Sequence, residues 1–302
     1  MTEFPPGFRS GFVAVVGRPN VGKSTLVNAL IGRKVSIVTP RPQTTRHAIV
    51  GVLTLPAAQL LFVDTPGLNP RGRQLLNRMM NRTVQAALAG ADLIAMVVEP
   101  GRWEAGDEQV LDEVRAARRP ALLIVNKVDR VRPRAKLLPL LEELGRRADF
   151  AAVVPVAART GENLDRLPGI LAGLLPEGPP LYPLDATTDR DLGFRIAEIV
   201  REQLLLQLRQ EVPYGLAVEV EALEQKPGVT VVAVVIWAAR ESHKGIVIGR
   251  GGAALKAIGT AARLELERVL GGRFHLETHV RVKKDWADSE RALQQFGFES
   301  GT

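Results

Sequence analysis

The residues with the most definite chemistry are Gly17, Gly22, Lys23 and Ser24, in the stretch GRPNVGKST at 17–25. In the spacing GxxxxGKS the two glycines let the backbone turn tightly enough for successive N–H groups to point inward at phosphate oxygens. The lysine then reaches the β- and γ-phosphates, and the serine hydroxyl can ligate magnesium. The loop is built for a nucleoside triphosphate, and it brings Arg18, Pro19, Asn20, Val21 and Thr25 into the same site. DTPG at 64–67 ends an apolar run, where Asp64 can hold the magnesium shell and the Gly67 amide can meet a γ-phosphate. An Asp opening a turn after a strand is commonplace, so this motif takes its weight from its position after the phosphate loop. NKVD at 126–129 follows ALLIV. There Asp129 offers a carboxylate that accepts from both N1–H and N2–H of guanine, Asn126 can reach the other edge of the base, and Lys127 lies between them. Adenine has no such pair of donors, and an unpaired buried carboxylate is costly, so the pattern selects guanine.

Each motif needs a strand to aim it. FVAVVG, QLLFVDTPG, ADLIAMVVE, ALLIVNKVD and AAVVPVAA are apolar runs followed by helical spacing or turn residues over the first 175 positions, which predicts an open, mostly parallel α/β sheet. AIVGVLTL at 48–55 reaches QLLFVD across only PAA, which suits an antiparallel hairpin, so one strand of the sheet should run against the rest. PEGPPLYPLDATTDR at 176–190 carries four prolines and no periodicity, and is expected to be a linker between a nucleotide-binding domain at 1–175 and a second domain at 191–302. The second domain reads as α+β: a helix, two strands, a glycine cluster, a helix and a strand.

At 302 residues, 46% of them hydrophobic and 24% charged, the chain has the composition of a soluble globular protein of about two domains. The apolar runs are too short to span a membrane, MTEFPPGFRS lacks the apolar segment of a signal peptide, and the expected compartment is the cytoplasm. There is no cysteine, which excludes disulfides and thiolate metal sites. A net charge of +7 is a weak pointer to a polyanion, but its distribution says more. Acidic residues outnumber basic ones 9 to 4 over 185–224, and basic outnumber acidic 10 to 4 over 240–284.

Residues 10–175 resemble a translation-factor-type GTPase domain, and QTTRH at 43–47, DTPGL at 64–68 and the phosphate-loop asparagine resemble its Era-like branch. The resemblance implies that Thr45, ahead of Thr44, is the switch threonine completing the magnesium shell with Ser24 and Asp64, and that Lys23, Thr45 and Gly67 serve catalysis. The guanine-cradling SAK of the family stands here as AAR, Ala157 to Arg159, with the Ala158 amide left to meet the guanine O6. Leu68 occupies the place where many small GTPases carry a glutamine that orients the attacking water. The resemblance suggests potassium as a substitute source of charge, held by Asn20, although an asparagine beside Pro19 also suits a plain turn.

RESHKGIVIGRGGAALKAIGT at 240–260 contains GRGG, Gly249 to Gly252, opening a helix after a basic approach. A backbone can pass close to such a loop, and the helix N-terminus behind it favours phosphate, as in the GXXG loop of a KH domain. The order of elements and the wording HKGIVIGRGG also resemble the Era family. Lys244, Arg250 and Lys256 are the expected contacts to an RNA backbone. Lys283 and Lys284 are further candidates that suit a solvated basic face equally well. Ile246, Val247 and Ile248 read as core or groove floor, His243, His275 and His279 have no metal-ligand spacing, and Trp286, Phe296 and Phe298 should pack a C-terminal helix.

The chain thus reads as an α/β P-loop GTPase domain followed by an α+β KH domain, and resembles the Era family over essentially its whole length. The resemblance implies a magnesium-dependent GTPase that binds GTP and GDP together with single-stranded rRNA near the 3′ end of the small-subunit rRNA. It further implies a role in assembling the small ribosomal subunit and an ability to associate peripherally with the inner membrane. The alternative is a membrane-peripheral signalling GTPase whose second half contacts lipid or protein.

Overall fold

The structure is a computed structural model that describes residues 4–68 and 74–298. It divides into two compact units. In the first, six strands lie in the order β2-β3-β1-β4-β5-β6: β1 (Arg9–Val16), β2 (Ile49–Leu55), β3 (Ala58–Asp64), β4 (Leu93–Val98), β5 (Ala121–Val125) and β6 (Ala152–Pro155). β2 and β3 form the expected antiparallel hairpin, and the other pairings are parallel. The helices are α1 (Lys23–Ile31), α2 (Leu75–Gly90), α3 (Ala105–Ala117), α4 (Leu137–Gly145) and α5 (Leu167–Leu174).

Alternation along the strands divides the core between the two sheet faces. Val13 and Val15 of β1 and Leu93, Ala95 and Val97 of β4 pack on one side with α1 and α5. Ala14, Val16, Ile94, Met96 and Val98 pack on the other with residues of α2, α3 and α4. Because both faces are covered, the central strands read as continuous apolar runs rather than alternating ones.

The proline-rich stretch is not the free linker its composition predicts, since through Asp189 it belongs to the first unit. Ser10 donates to the carbonyls of Pro176 (backbone, 3.2 Å) and Pro179 (side chain, 2.6 Å). The fully buried Gln59 amide donates to Tyr182 O at 2.9 Å and accepts from the N–H groups of Leu181 and Tyr182 at 2.8 and 2.9 Å. At the outer edge of β2, Val52 N–H donates to Thr187 O (3.0 Å) and Asp189 N–H to Val50 O (3.2 Å). Prolines suit such a path because they need no donor partner and resist extension into a full strand.

The second unit runs from Arg190 and also takes in residues 37–44 and, of the described residues, 74–79. Its elements are α6 (Leu192–Gln207), β7 (Leu216–Lys226), β8 (Val229–Ala238), α7 (Glu241–Ile248), α8 (Ala253–Leu270), β9 (Phe274–Val282) and α9 (Glu290–Gln295). β8 is central, antiparallel to β7 and parallel to β9. Val232, Val234 and Ile236 of β8 pack with Ile196, Val200 and Leu204 of α6 and Ile258, Ala262 and Leu266 of α8. α7 is a correction to the sequence reading, which left 241–248 as an approach to the glycines. The β-branched run Ile246 to Ile248 hid a helix that buries Val247 alone and leaves Ile246 49% exposed. At the C-terminus Trp286 is buried, meets Phe296 edge-on at 5.4 Å and donates from Nε1 to Gly215 O at 3.0 Å, so the expected packing of α9 is present.

Candidate functional site

Four loops leave the carboxyl ends of the parallel strands β1, β3, β5 and β6, the place where open α/β sheets bind ligands. The loop after β1 has φ +155° at Gly17, +66° at Asn20 and +101° at Gly22. A Cβ at Gly22 would lie 2.3 Å from Asn126 Nδ2, so glycine is needed there for conformation and for the approach of the β5 loop. Lys23 is buried and folds back over the loop, donating to Gly17 O (2.8 Å) and Arg18 O (3.2 Å). Burial lowers its pKa to about 8, against the opposing pull of Asp64. An ammonium held this way is poised to exchange backbone carbonyls for phosphate oxygens. Arg18 turns away from the loop, pairing with Asp107 (Nε–Oδ1, 3.0 Å) and Glu104 (3.1 Å) at the start of α3.

Asp64 ends β3 with no exposed surface, and neither carboxylate oxygen has a hydrogen-bond partner. Burial raises its pKa, while the nearby Ser24 hydroxyl, the Lys23 charge and the Ser36 hydroxyl pull it back down. Ser24 Oγ lies 2.9 Å from Thr45 Oγ1. The Thr44 hydroxyl is engaged elsewhere, with Thr39 Oγ1 (2.6 Å) and Arg41 O (2.7 Å), and this favours Thr45 of the two threonines. Two adjoining hydroxyls and an orphaned buried carboxylate are a donor set for a hard cation that keeps part of its water shell. Among the described residues no three His, Cys, Asp or Glu come together.

After Asp64, Thr65 Oγ1 donates to Val15 O at 2.8 Å, pinning the turn to β1. A Cβ on Gly67 would lie 2.7 Å from Pro19 Cγ and 3.0 Å from Pro19 N, so the turn closes directly on the phosphate loop. Leu68 is partly buried against the apolar cluster of the sheet face. It has no polar atom to offer an attacking water.

In the β5 loop the Asn126 side chain bonds protein through both of its ends and keeps one Nδ2 hydrogen for a ligand. Its Nδ2 donates to Val21 O (2.9 Å), and its Oδ1 accepts from Lys127 N (2.8 Å) and Ala158 N (3.0 Å). The sequence reading gave Asn126 an edge of the base and gave the Ala158 amide the guanine O6. In the structure these two groups bond each other, and Asn126 joins the loops after β1, β5 and β6. Asp129 lies half-buried in a short turn at 128–130. Lys127 Nζ donates to Asn20 O at 2.6 Å and pairs with Glu99, so it braces the phosphate loop across its rim. Asn20 itself is exposed. Ala157 and Ala158 are buried.

In the second unit Gly249, Gly251 and Gly252 all have φ between +59° and +79°. A Cβ on Gly249 would strike Ala254 at 2.7 Å, whereas Gly251 and Gly252 face open space, so the loop is closed behind and open in front. Arg250 and Lys256 are exposed and Lys244 is half-buried. Lys283 is engaged, bonded to Gln295 and lying over the rings of Trp237 (5.5 Å) and Phe296 (5.3 Å), which ties down the C-terminal helix. Lys284 is exposed. Sequence reasoning missed Asn28, whose side-chain amide ties α1 to the backbone of Val35 and Ser36.

Comparison with known proteins gives two family matches, one described as 50S ribosome-binding GTPase over residues 12–127 and one as KH domain over residues 211–287. The chain is 48% identical over 299 residues to GTPase Era of Stenotrophomonas maltophilia (strain K279a), covering 99% of this chain and 100% of that protein. It is 47% identical, with the same coverage, to GTPase Era of Xanthomonas axonopodis pv. citri (strain 306). Among solved structures, a variant of Aquifex aeolicus Era bound to GDP and AlF4− superimposes with a TM-score of 0.93 at 37% identity, covering 96% of this chain and 99% of that one. Era in complex with MgGDPNP and nucleotides 1506–1542 of 16S ribosomal RNA gives 0.92 at 37% identity and the same coverage.

Proposed function

The chain belongs to the Era family of GTPases, and from that premise we propose how its own residues carry out the family's work. The protein hydrolyses GTP. The observation that carries the assignment of residues is the convergence of the loops after β1, β3, β5 and β6, joined through Asn126 and the Gly67–Pro19 contact. The phosphate-loop amides of residues 17–25 and the Lys23 ammonium hold the β- and γ-phosphates. Asp129 reads guanine, and Ala157 and Ala158 wall the base. Ser24, Thr45 and Asp64 hold magnesium, which when bound supplies positive charge to the phosphates. The Gly67 amide meets the γ-phosphate, and since Leu68 offers no polar group, water is oriented by backbone and by charge. A potassium ion beside Asn20 is the proposed source of that charge. Equal turnover in potassium and sodium salts of the same ionic strength would remove it.

The second unit is an RNA-binding KH domain whose open glycine loop, with Lys244, Arg250 and Lys256, holds the backbone of a single strand. Taking the 16S fragment bound by the related Era as the guide, the target is the 3′ region of small-subunit rRNA. The function is then a GTP-controlled RNA clamp in small-subunit assembly, acting in the cytoplasm. The test is binding of an oligoribonucleotide from that 3′ region in the presence of a GTP analogue and of GDP, with GTP turnover measured alongside. Nanomolar to micromolar binding that differs between the two nucleotides is expected, and absence of binding in both would refute the clamp. Among the described residues no helix is long and apolar enough to cross a membrane. Peripheral contact with the inner membrane therefore rests on exposed basic residues, and flotation with anionic vesicles tests it.

A further inference from the structure

Glu198, Arg201 and Glu202 stand at helical spacing on α6, and all three are buried, at 7%, 4% and 3% exposure. Buried charges add little to stability over apolar side chains of the same size, so three on one helix face call for another reason. Arg201 Nε and Nη2 donate to Glu198 Oε1 (2.6 Å) and Oε2 (2.7 Å), which fixes the guanidinium plane. From that plane Nη2 also donates to Thr44 O. Glu202 Oε1 accepts from Val38 N at 3.0 Å, and Arg41 Nη2 donates to the carbonyl of Leu208 just past the end of α6. Residues 37–44, which belong to the second unit and form no helix or strand, are thus fastened near both ends and in between.

We propose that Arg201 is a positioning residue for Thr45, its guanidinium fixing the peptide from which that threonine's side chain departs. The inference rests on the magnesium reading given under Proposed function. Thr44 O lies in the planar peptide unit that also contains Thr45 N and Cα, so a bond that holds this oxygen sets the direction of the next residue. In the same arrangement Thr45 is 7% exposed and its hydroxyl lies 2.9 Å from Ser24 Oγ, so the grip on Thr44 coexists with the threonine's place beside the serine. Arginine suits the task because its rigid fork bonds a carboxylate through two N–H groups and keeps a third for the carbonyl, a geometry that the point charge of a lysine cannot reproduce. Neither Arg201 nor Glu198 lies in a nucleotide motif, and they act on the magnesium site only through the chain at Thr44.

The test is a double-mutant cycle on the full chain, read as release of a fluorescent, non-hydrolysable GTP analogue as magnesium is titrated from zero, with excess chelator, into the millimolar range. Removing a partner that orients a metal-binding group typically costs about 10- to 100-fold in metal affinity. Arg201→Lys keeps the charge without the fork, and Arg201→Met with Glu198→Leu removes the pair without stranding either charge. Each should need about tenfold more magnesium for half-maximal retention, and in a Thr45→Ala background neither should shift the midpoint further. Without nucleotide or metal, amide hydrogen exchange over 37–45 should quicken in both variants while α8 keeps its protection. Midpoints within about twofold of the parent's overturn the inference, as do equal shifts with and without Thr45, which would mark a merely structural role. A Thr45→Ala midpoint equal to the parent's shows instead that Thr45 is no magnesium ligand, and the magnesium reading falls and the inference with it.

Discussion

Replacing Asn126 by Ala separates two accounts of the NKVD motif. The structure leaves this amide occupied at Val21 O, Lys127 N and Ala158 N, with the residue 2% exposed. Truncation to Ala strands one carbonyl and two N–H groups in a place water reaches poorly. Each stranded buried group costs about 1–3 kcal/mol, so the lower end of the total is about 3 kcal/mol. For a domain of this size about 1 kcal/mol corresponds to about 2–4 °C in Tm, which predicts a fall of about 6–12 °C without nucleotide. The assay is calorimetry of the nucleotide-free protein, following the transition that GDP shifts in the parent. GDP affinity should fall by about 100-fold, since loops that meet the phosphates and the base lose their common tie and each tenfold is about 1.4 kcal/mol. If Asn126 served only to touch the base, nucleotide-free stability would stay at the parent value. A Tm within about 2 °C of the parent would refute the reasoning, because even one stranded group should exceed that.

Asp129→Asn should exchange guanine for xanthine nucleotides, because an amide donates where the carboxylate accepted; unchanged GDP affinity in competition binding would contradict it. Lys23 carries a pKa lowered to about 8 in a pocket without phosphate, so between there and 10.5 the unfolded chain holds more protons and nucleotide-free stability should rise with pH. Phosphates favour the ammonium, so GDP binding above pH 8 should take up a proton and weaken as pH rises, a trend that calorimetry in buffers of different ionisation enthalpy detects and that Lys23→Ala should abolish. Gly251→Asp should lower single-stranded RNA affinity about tenfold or more through its negative charge beside the phosphates. Gly251→Asn, which tolerates the φ of +59° without the charge, should lose much less, and equal losses would assign the effect to backbone strain.

The strands of the first unit, the reversed β2 and the three nucleotide motifs were legible in the sequence because each rests on local signals: apolar runs, the Pro56–Ala57 turn and fixed glycine spacings. What escaped depends on distant partners. α7 was hidden by a β-branched run whose helical register is fixed by burying Val247. Nothing in NKVD reveals that Asn126 also ties together Val21 O and Ala158 N. Lys283 suits a phosphate contact and a solvated basic face equally in sequence, and nothing there shows Trp237, Phe296 and Gln295 around it. Ser36 carries no signal in sequence, since a serine in a turn is ordinary and only its burial distinguishes it.

The stretch from Pro176 to Asp189 has a consequence for where the catalytic half can be severed. β2 is the outermost strand on its side, and a bare outer strand invites another chain to add itself to the sheet. Thr187 and Asp189 occupy that rim, and the prolines before them keep the covering segment from becoming a fresh template for growth. A fragment ending at 175 would strip the rim, unpair the Gln59 amide and leave the sheet prone to self-association. The workable dividing line falls beyond Asp189.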